Sequence, residues 1–295
     1  MGFVEGRVVL ITGASSGIGL ETSRELARRG AQVVMAARNR ERGEQALEDV
    51  RRAAATAGSP APDLLLADLT DPDAIAFLIE RVRSRYRRLH VLINNAGGFV
   101  ARRAVTAEGF EYTYALNVVA PIRLTLGVLG RLRKSRPARI INVASQAHAA
   151  GALDLDDLQM ERGRYRGFVQ YARSKTALIL WTRALACELR KSGVTVNAVH
   201  PGWIKTAMGA SNPPTATAAV FRFATAILAR PQIVGARGPV YLADDEQLQQ
   251  TTGEYYFVTH QRAPAAHARD SEIAGRMLEL GRSYDVSATR QRERK

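Results

Sequence analysis

Arg7-Val8-Val9-Leu10-Ile11-Thr12-Gly13-Ala14-Ser15-Ser16-Gly17-Ile18-Gly19 is the stretch that decides the fold. Its first part is an apolar, β-branched run of the kind that forms a buried strand. Its second part is a glycine-rich turn, Gly13-x-x-x-Gly17-x-Gly19. Beyond it Ile18, Thr22 and Leu26 recur at helical spacing. Glycine lets a backbone come close to a phosphate, and a helix start supplies free N–H groups and a positive dipole end. The spacing is not the Gly-x-Gly-x-x-Gly of the dinucleotide fingerprint. Alone, the stretch reads either as a nucleotide-binding turn or as a tight connection.

Outward from it, strand-like and helical runs alternate. Strands are predicted over 32–36, 64–67, 91–93, 139–144, 194–199 and 253–258. Helices are predicted over 40–57, 74–86, 108–133 and 169–191. Pro121 is a candidate bend in the third of these, and Gly193 closes the fourth. The alternation predicts the α/β class: a single doubly wound Rossmann fold, its mostly parallel sheet covered by helices on both faces. Ligands of such sheets bind at the carboxyl ends of the strands. Residues 1–285 read as one domain. Within it 203–235, with Pro213-Pro214, break the rhythm and read as a mobile substrate cap. Residues 286–295 read as a basic disordered tail.

Composition excludes several classes. One cysteine, Cys187, excludes an internal disulfide and a cysteine-based metal cluster, and its apolar helical setting predicts a packed thiol. His148 and His200 have no partner at metal-ligand spacing, so no metal is expected; they read as pocket walls or satisfied strand-end groups. The first strand follows so soon on Met1 that a secretory signal has no room, and no uninterrupted apolar stretch approaches the roughly 20 residues of a membrane span. A cytoplasmic protein without a membrane span is the expectation. The net charge of +14 rests on 42 Lys and Arg scattered over helix faces, only five of them Lys. Codon bias accounts for that pattern better than a nucleic-acid partner, so none is expected.

Two further stretches carry chemistry. The second strand ends Ala36-Ala37-Arg38-Asn39, with no acid before Glu41. An acid there serves the ribose hydroxyl of NAD, and an arginine suits a 2′-phosphate. The reading is NADP(H), with Arg38 on the phosphate, ahead of NAD(H). Tyr171-Ala172-Arg173-Ser174-Lys175 puts a phenol and an ammonium one helical turn apart. A nearby positive charge favours the phenolate, so Lys175 is expected to lower the Tyr171 pKa and fit it for proton transfer.

These features in order resemble the short-chain dehydrogenase/reductase family: Thr12-Gly13-x-x-x-Gly17-x-Gly19, Asn94-Asn95-Ala96-Gly97, Ser145, Tyr171-x-x-x-Lys175 and Pro201-Gly202. Gly109-Phe110-Glu111, Asp157-Leu158-Gln159 and His200-Pro201-Gly202-Trp203 resemble its retinol dehydrogenase branch, as does a Ser145-to-Tyr171 interval longer than usual for the family. The resemblance implies a seven-stranded sheet and an NADP(H)-dependent interconversion of an alcohol and a ketone or aldehyde. It implies Tyr171 as general acid/base, Ser145 as donor to the substrate oxygen, Lys175 on the nicotinamide ribose, and Asn117 as holder of a relay water. For the cofactor it implies Gly13, Ser15, Ser16, Gly17, Ile18, Gly19, Arg38, Asp68, Leu69, Asn95, Ala96, Gly97, Tyr171, Lys175, Pro201, Gly202, Ile204 and Thr206. Trp203, Met208, Phe221, Phe223, Ile227 and Leu228 are expected either to line a pocket for a lipophilic small-molecule substrate or to pack a cap helix. A homo-oligomer is compatible with the family. A redox-sensing protein that binds NADP(H) with little turnover is the alternative.

Overall fold

The computed structural model describes residues 2–202, 204 and 231–284. Eight strands make one sheet: Val8–Thr12 (β1), Gln32–Ala37 (β2), Asp63–Leu66 (β3), Val91–Asn94 (β4), Ala138–Val143 (β5), Val194–His200 (β6), Tyr255–Phe257 (β7) and His260–Arg262 (β8). They lie in the order β3-β2-β1-β4-β5-β6-β7-β8. The expected seven strands run parallel, and β8 adds an antiparallel edge. Sequence reading missed β8 because its three residues are all exposed and show no apolar alternation.

The helices are Gly17–Arg28 (α1), Arg40–Thr56 (α2), Pro72–Arg85 (α3), Tyr112–Lys134 (α4), Gly167–Glu188 (α5), Gln232–Asp244 (α6) and Ser271–Ser283 (α7). Successive β1 residues point to opposite faces. Val8 and Leu10 join a core with α3, α4, α5 and α7, while Val9 and Ile11 join one with α1, α2 and α6. Strand order reverses between β1 and β4, so the turns after these strands border the crevice where such sheets take ligands.

α4 is long and apolar enough to cross a membrane, but 72% of its most apolar window is buried inside the fold, as in a core helix. Its irregularity lies one turn ahead of Pro121. Residues Ala115–Val119 form a π-turn in which the Ala120 N–H bonds the Ala115 carbonyl. Pro121 has no N–H, so the α-helical bond to the Asn117 carbonyl cannot form. Of the expected cap, residues 232–235 begin α6; position 203 and positions 205–230 lie outside the described residues, as does the tail.

A chain of buried amides and hydroxyls crosses the core. Asn94 Nδ2 donates to Thr125 Oγ1 (3.1 Å) and Asn142 Oδ1 (2.8 Å), and Asn142 Nδ2 donates to Thr182 Oγ1 (2.8 Å). It ties α4, β4, β5 and α5 together in one register. Asn142→Ala would leave buried donors and acceptors unpaired, and is expected to cost about 2 kcal/mol in urea unfolding. An unchanged midpoint would refute this role.

Candidate active site

The glycine turn is built for close backbone approach. A Cβ on Gly19 would lie 2.3 Å from the Gly13 carbonyl oxygen, so only glycine fits. Gly13 and Gly17 have φ of +65° and +58°, in the region that favours glycine. Asn95 pins the turn to the loop after β4: its Nδ2 donates to the Thr12 carbonyl (2.8 Å), and the Asn95 and Ala96 N–H groups donate to Thr12 Oγ1 (both 3.0 Å). Ser16 caps α1 without a side-chain bond, and the first turn holds no acid. The N–H groups at this helix start therefore remain available to an anion. Space is open above Gly17. This cradle fits the diphosphate of a dinucleotide.

Arg38 and Asp68 stand together beside the same crevice. Arg38 Nη1 donates to the Tyr112 hydroxyl (3.1 Å) and lies 3.7 Å from Asp68 Oδ2. The Arg38 side chain keeps 65% of its surface exposed, which leaves its guanidinium accessible to a phosphate. Asp68 Oδ1 accepts from the Thr70 N–H (2.9 Å) and hydroxyl (2.8 Å), so it also caps its own turn. Leu69 is half-buried on the core. Ile18 and Ile204 converge above Gly235, where a Cβ would lie 2.9 and 2.8 Å from their side chains. Pro201 is buried, and Gly202 turns the chain at φ +94°. Thr206, Trp203, Met208, Phe221, Phe223, Ile227 and Leu228 lie outside the described residues.

Ser145 follows β5, and Tyr171 and Lys175 share one face of α5. Gly151 brings the two segments together: a Cβ there would sit 2.2 Å from the Ala172 carbonyl carbon, so backbone meets backbone. The Ser145 side chain faces the Tyr171 phenol closely enough to act on its pKa. Lys175 Nζ lies 5.7 Å from the Tyr171 ring centre and donates to the Val143 carbonyl at 2.9 Å. A Cβ on Gly97 would lie 3.0 Å from Asn117 Oδ1 and 3.2 Å from Lys175 Nζ, which places these groups around one point.

The electrostatics differ from expectation. Burial raises the Tyr171 pKa above its ordinary value, and the facing Ser145 side chain opposes the rise. The net shift is thus upward, against the lowering expected from Lys175; the same burial pulls the Lys175 ammonium down to about 8, and its Nζ donates to the Val143 carbonyl. The Asn117 amide is also committed: Nδ2 donates to the Gly98 carbonyl and to Ser174 Oγ (both 2.9 Å), and Oδ1 accepts from the Gly98 N–H (3.0 Å). Any water at Asn117 would use the carbonyl released by Pro121.

Several contributors were missed by sequence reading. The rings of Phe99 and Phe168 stand 5.6 and 6.4 Å from that of Tyr171 and give the site an apolar wall. Phe168 was legible as the residue one turn before Tyr171 on the same helix face. Glu111, fully buried, caps α4 through the Thr113 and Tyr114 N–H groups (2.9 and 2.8 Å). It also accepts from the Tyr165 hydroxyl (2.9 Å) and Gln170 Nε2 (3.1 Å). The Glu111 N–H donates to Gln159 Oε1. This network anchors the long segment between Ser145 and Tyr171. His148 is satisfied at both ring nitrogens, whereas neither nitrogen of buried His200 has a hydrogen-bond partner among the described residues. Cys187 corrects an expectation: it is exposed, on the solvent side of the last turn of α5.

Comparison with known proteins finds relatives over most of the chain. The family model described as short chain dehydrogenase matches residues 7–217. Human retinol dehydrogenase 13 is 35% identical, with 98% of this chain and 88% of that protein covered. A protein of Mycobacterium paratuberculosis superposes with a TM-score of 0.75 at 27% identity, over 95% of this chain and 93% of its own. A short chain dehydrogenase from Burkholderia cenocepacia in complex with NADP gives 0.67 at 28% identity, over 86% and 97%.

Lys175 provides a pH test. Unfolded, it keeps its proton to about pH 10.5; folded, only to about 8. Between these values the unfolded chain binds more protons, so raising the pH favours the folded state. Urea unfolding is expected to show wild-type stability rising relative to Lys175→Met from pH 8 to pH 10. A pH-independent difference would contradict it.

Proposed function

The chain belongs to the short-chain dehydrogenase family, in its retinol dehydrogenase-like branch, and is an oxidoreductase acting on CH–OH donors with a nicotinamide cofactor; from this we propose that it interconverts a lipophilic alcohol and its aldehyde or ketone with NADP(H), using Tyr171 as general acid/base. The observation that carries the reading is the dry cluster of the Ser145 hydroxyl, the Tyr171 phenol and the Lys175 ammonium, beside an open helix start.

The glycine turn and the start of α1 hold the diphosphate. Arg38 takes the 2′-phosphate, Asp68 and Leu69 border the adenine, and Asn95, Ala96, Gly97 and Lys175 border the nicotinamide ribose. Pro201, Gly202 and Ile204 would border the nicotinamide. When bound, the cofactor supplies or accepts the hydride. In reduction Ser145 donates a hydrogen bond to the carbonyl oxygen and Tyr171 gives that oxygen its proton. Lys175, whose ammonium releases its proton near pH 8, restores the phenol through a water at the Asn117 carbonyl. In oxidation the proton runs the other way: neutral Lys175 takes the phenol proton through the same water, and the Tyr171 phenolate so formed removes the hydroxyl proton.

Phe99 and Phe168 support an apolar substrate, because such walls favour burying hydrocarbon against the reacting carbon. A cytoplasmic location is part of the same proposal.

Two experiments test it. In NADPH-oxidation assays over aldehydes and ketones of graded chain length, turnover should rise with chain length. Tyr171→Phe should cut kcat by about a thousandfold while NADPH binds within threefold of wild type. Full turnover in that variant, or none in wild type, would end the assignment. Arg38→Ala should weaken NADPH binding by about tenfold or more and leave NADH binding unchanged; an equal loss for both would remove Arg38 from the 2′-phosphate.

A further inference from the structure

His148 is almost wholly buried, and every polar atom it offers is used. Its Nδ1 lies 2.7 Å from the Ser145 carbonyl, which can only accept, so Nδ1 carries the hydrogen. Its Nε2 accepts from the Ala265 N–H (3.1 Å), so Nε2 is bare. The two partners fix one neutral tautomer, in keeping with a pKa held below the ordinary value chiefly by burial. The His148 carbonyl accepts from Thr176 Oγ1 (3.1 Å), next to Lys175, and from His267 Nε2 (2.9 Å). Its ring stacks edge-on against Tyr255, 5.0 Å between centres.

One residue thus joins the serine turn, the helix of the Tyr–Lys pair and the segment after β8. The Ser145 carbonyl receives both the His148 N–H (3.2 Å) and the His148 ring N–H, which fixes the direction in which the chain leaves the serine. Among the described residues Ser145 has little else to hold it: its hydroxyl accepts a 3.2 Å bond from the Ala147 N–H and faces Tyr171. A purely structural clamp would need only the Ala265 and Thr176 contacts. The Nδ1 bond is the one directed at the reacting serine.

We propose that His148 is a positioning residue for Ser145, and that the segment after β8 sets the serine's place through it. The inference rests on the catalytic reading of Ser145 given above. Asn can present an N–H where His presents Nδ1, and Gln an acceptor where His presents Nε2, so the two bonds can be separated.

The test compares wild type, His148→Asn, His148→Gln and His148→Ala in melting temperature, in kcat and KM for the best substrate of the aldehyde and ketone screen, and by crystallography. The expected result is a kcat lower by about ten- to a hundredfold in the Gln and Ala variants, with KM within threefold, and substantial rescue of kcat by Asn. In crystals of the Gln variant the Ser145 hydroxyl should leave the Tyr171 phenol, and in the Asn variant it should stay. Equal kcat in the Asn and Gln variants, or a Ser145 that stays beside Tyr171 in both crystals, overturns the proposal. If wild type turns over no faster than Tyr171→Phe, the catalytic reading fails separately, and the crystals still decide whether His148 places Ser145.

Discussion

A buried ammonium must find an acceptor, and Lys175 finds one at the last carbonyl of β5, Val143. That bond ties α5 to the strand whose continuation carries Ser145. Serine, tyrosine and lysine therefore share a frame of sheet and helix rather than of loops. The dryness that makes the bond necessary sets the chemistry too. It raises the phenol and lowers the ammonium, so both groups lean toward their neutral forms. In the proposed reaction the resting phenol would then be the acid, with the phenolate arising only during turnover, and the amine that releases its proton near pH 8 would restore the phenol.

Much of this was legible because it is local. The apolar run, glycine turn and helical spacing of residues 7–29 define one strand–turn–helix unit, and its repetition dictates a parallel sheet. Tyr171 and Lys175 share a face because they are four apart in a helix. What was not legible depends on long-range packing. The sign of the Tyr171 shift needed the burial of α5. The exposure of Cys187 needed the phase of that helix's last turn. The wall made by Phe99 needed the loop after β4 to fold over α5. Strand β8 carries no pattern of its own and exists through pairing with β7.

The long interval between Ser145 and Tyr171 has a physical account in Glu111. A carboxylate sealed from water must be saturated with donors. The start of α4, Tyr165 and Gln170 supply them, while Gln159 binds the same residue's N–H. Glu111 and Gln159, which the sequence offered only as marks of a family branch, thus join Tyr165 and Gln170 in one largely buried network, which fastens the inserted segment beside the helix of Tyr171 and Lys175.

Gly151 settles how such a site can diversify. Where main chain rests on main chain, no side chain sets the gap between the serine turn and the tyrosine helix. Exchanging Phe99 or Phe168 for smaller or larger residues would reshape the apolar wall beside Tyr171 while the spacing of the serine turn and the tyrosine helix stayed as it is. If the proposed roles hold, substrate range and chemistry would be mechanically separate: the first could drift while the second stayed fixed by a hydrogen atom standing where every other residue has carbon.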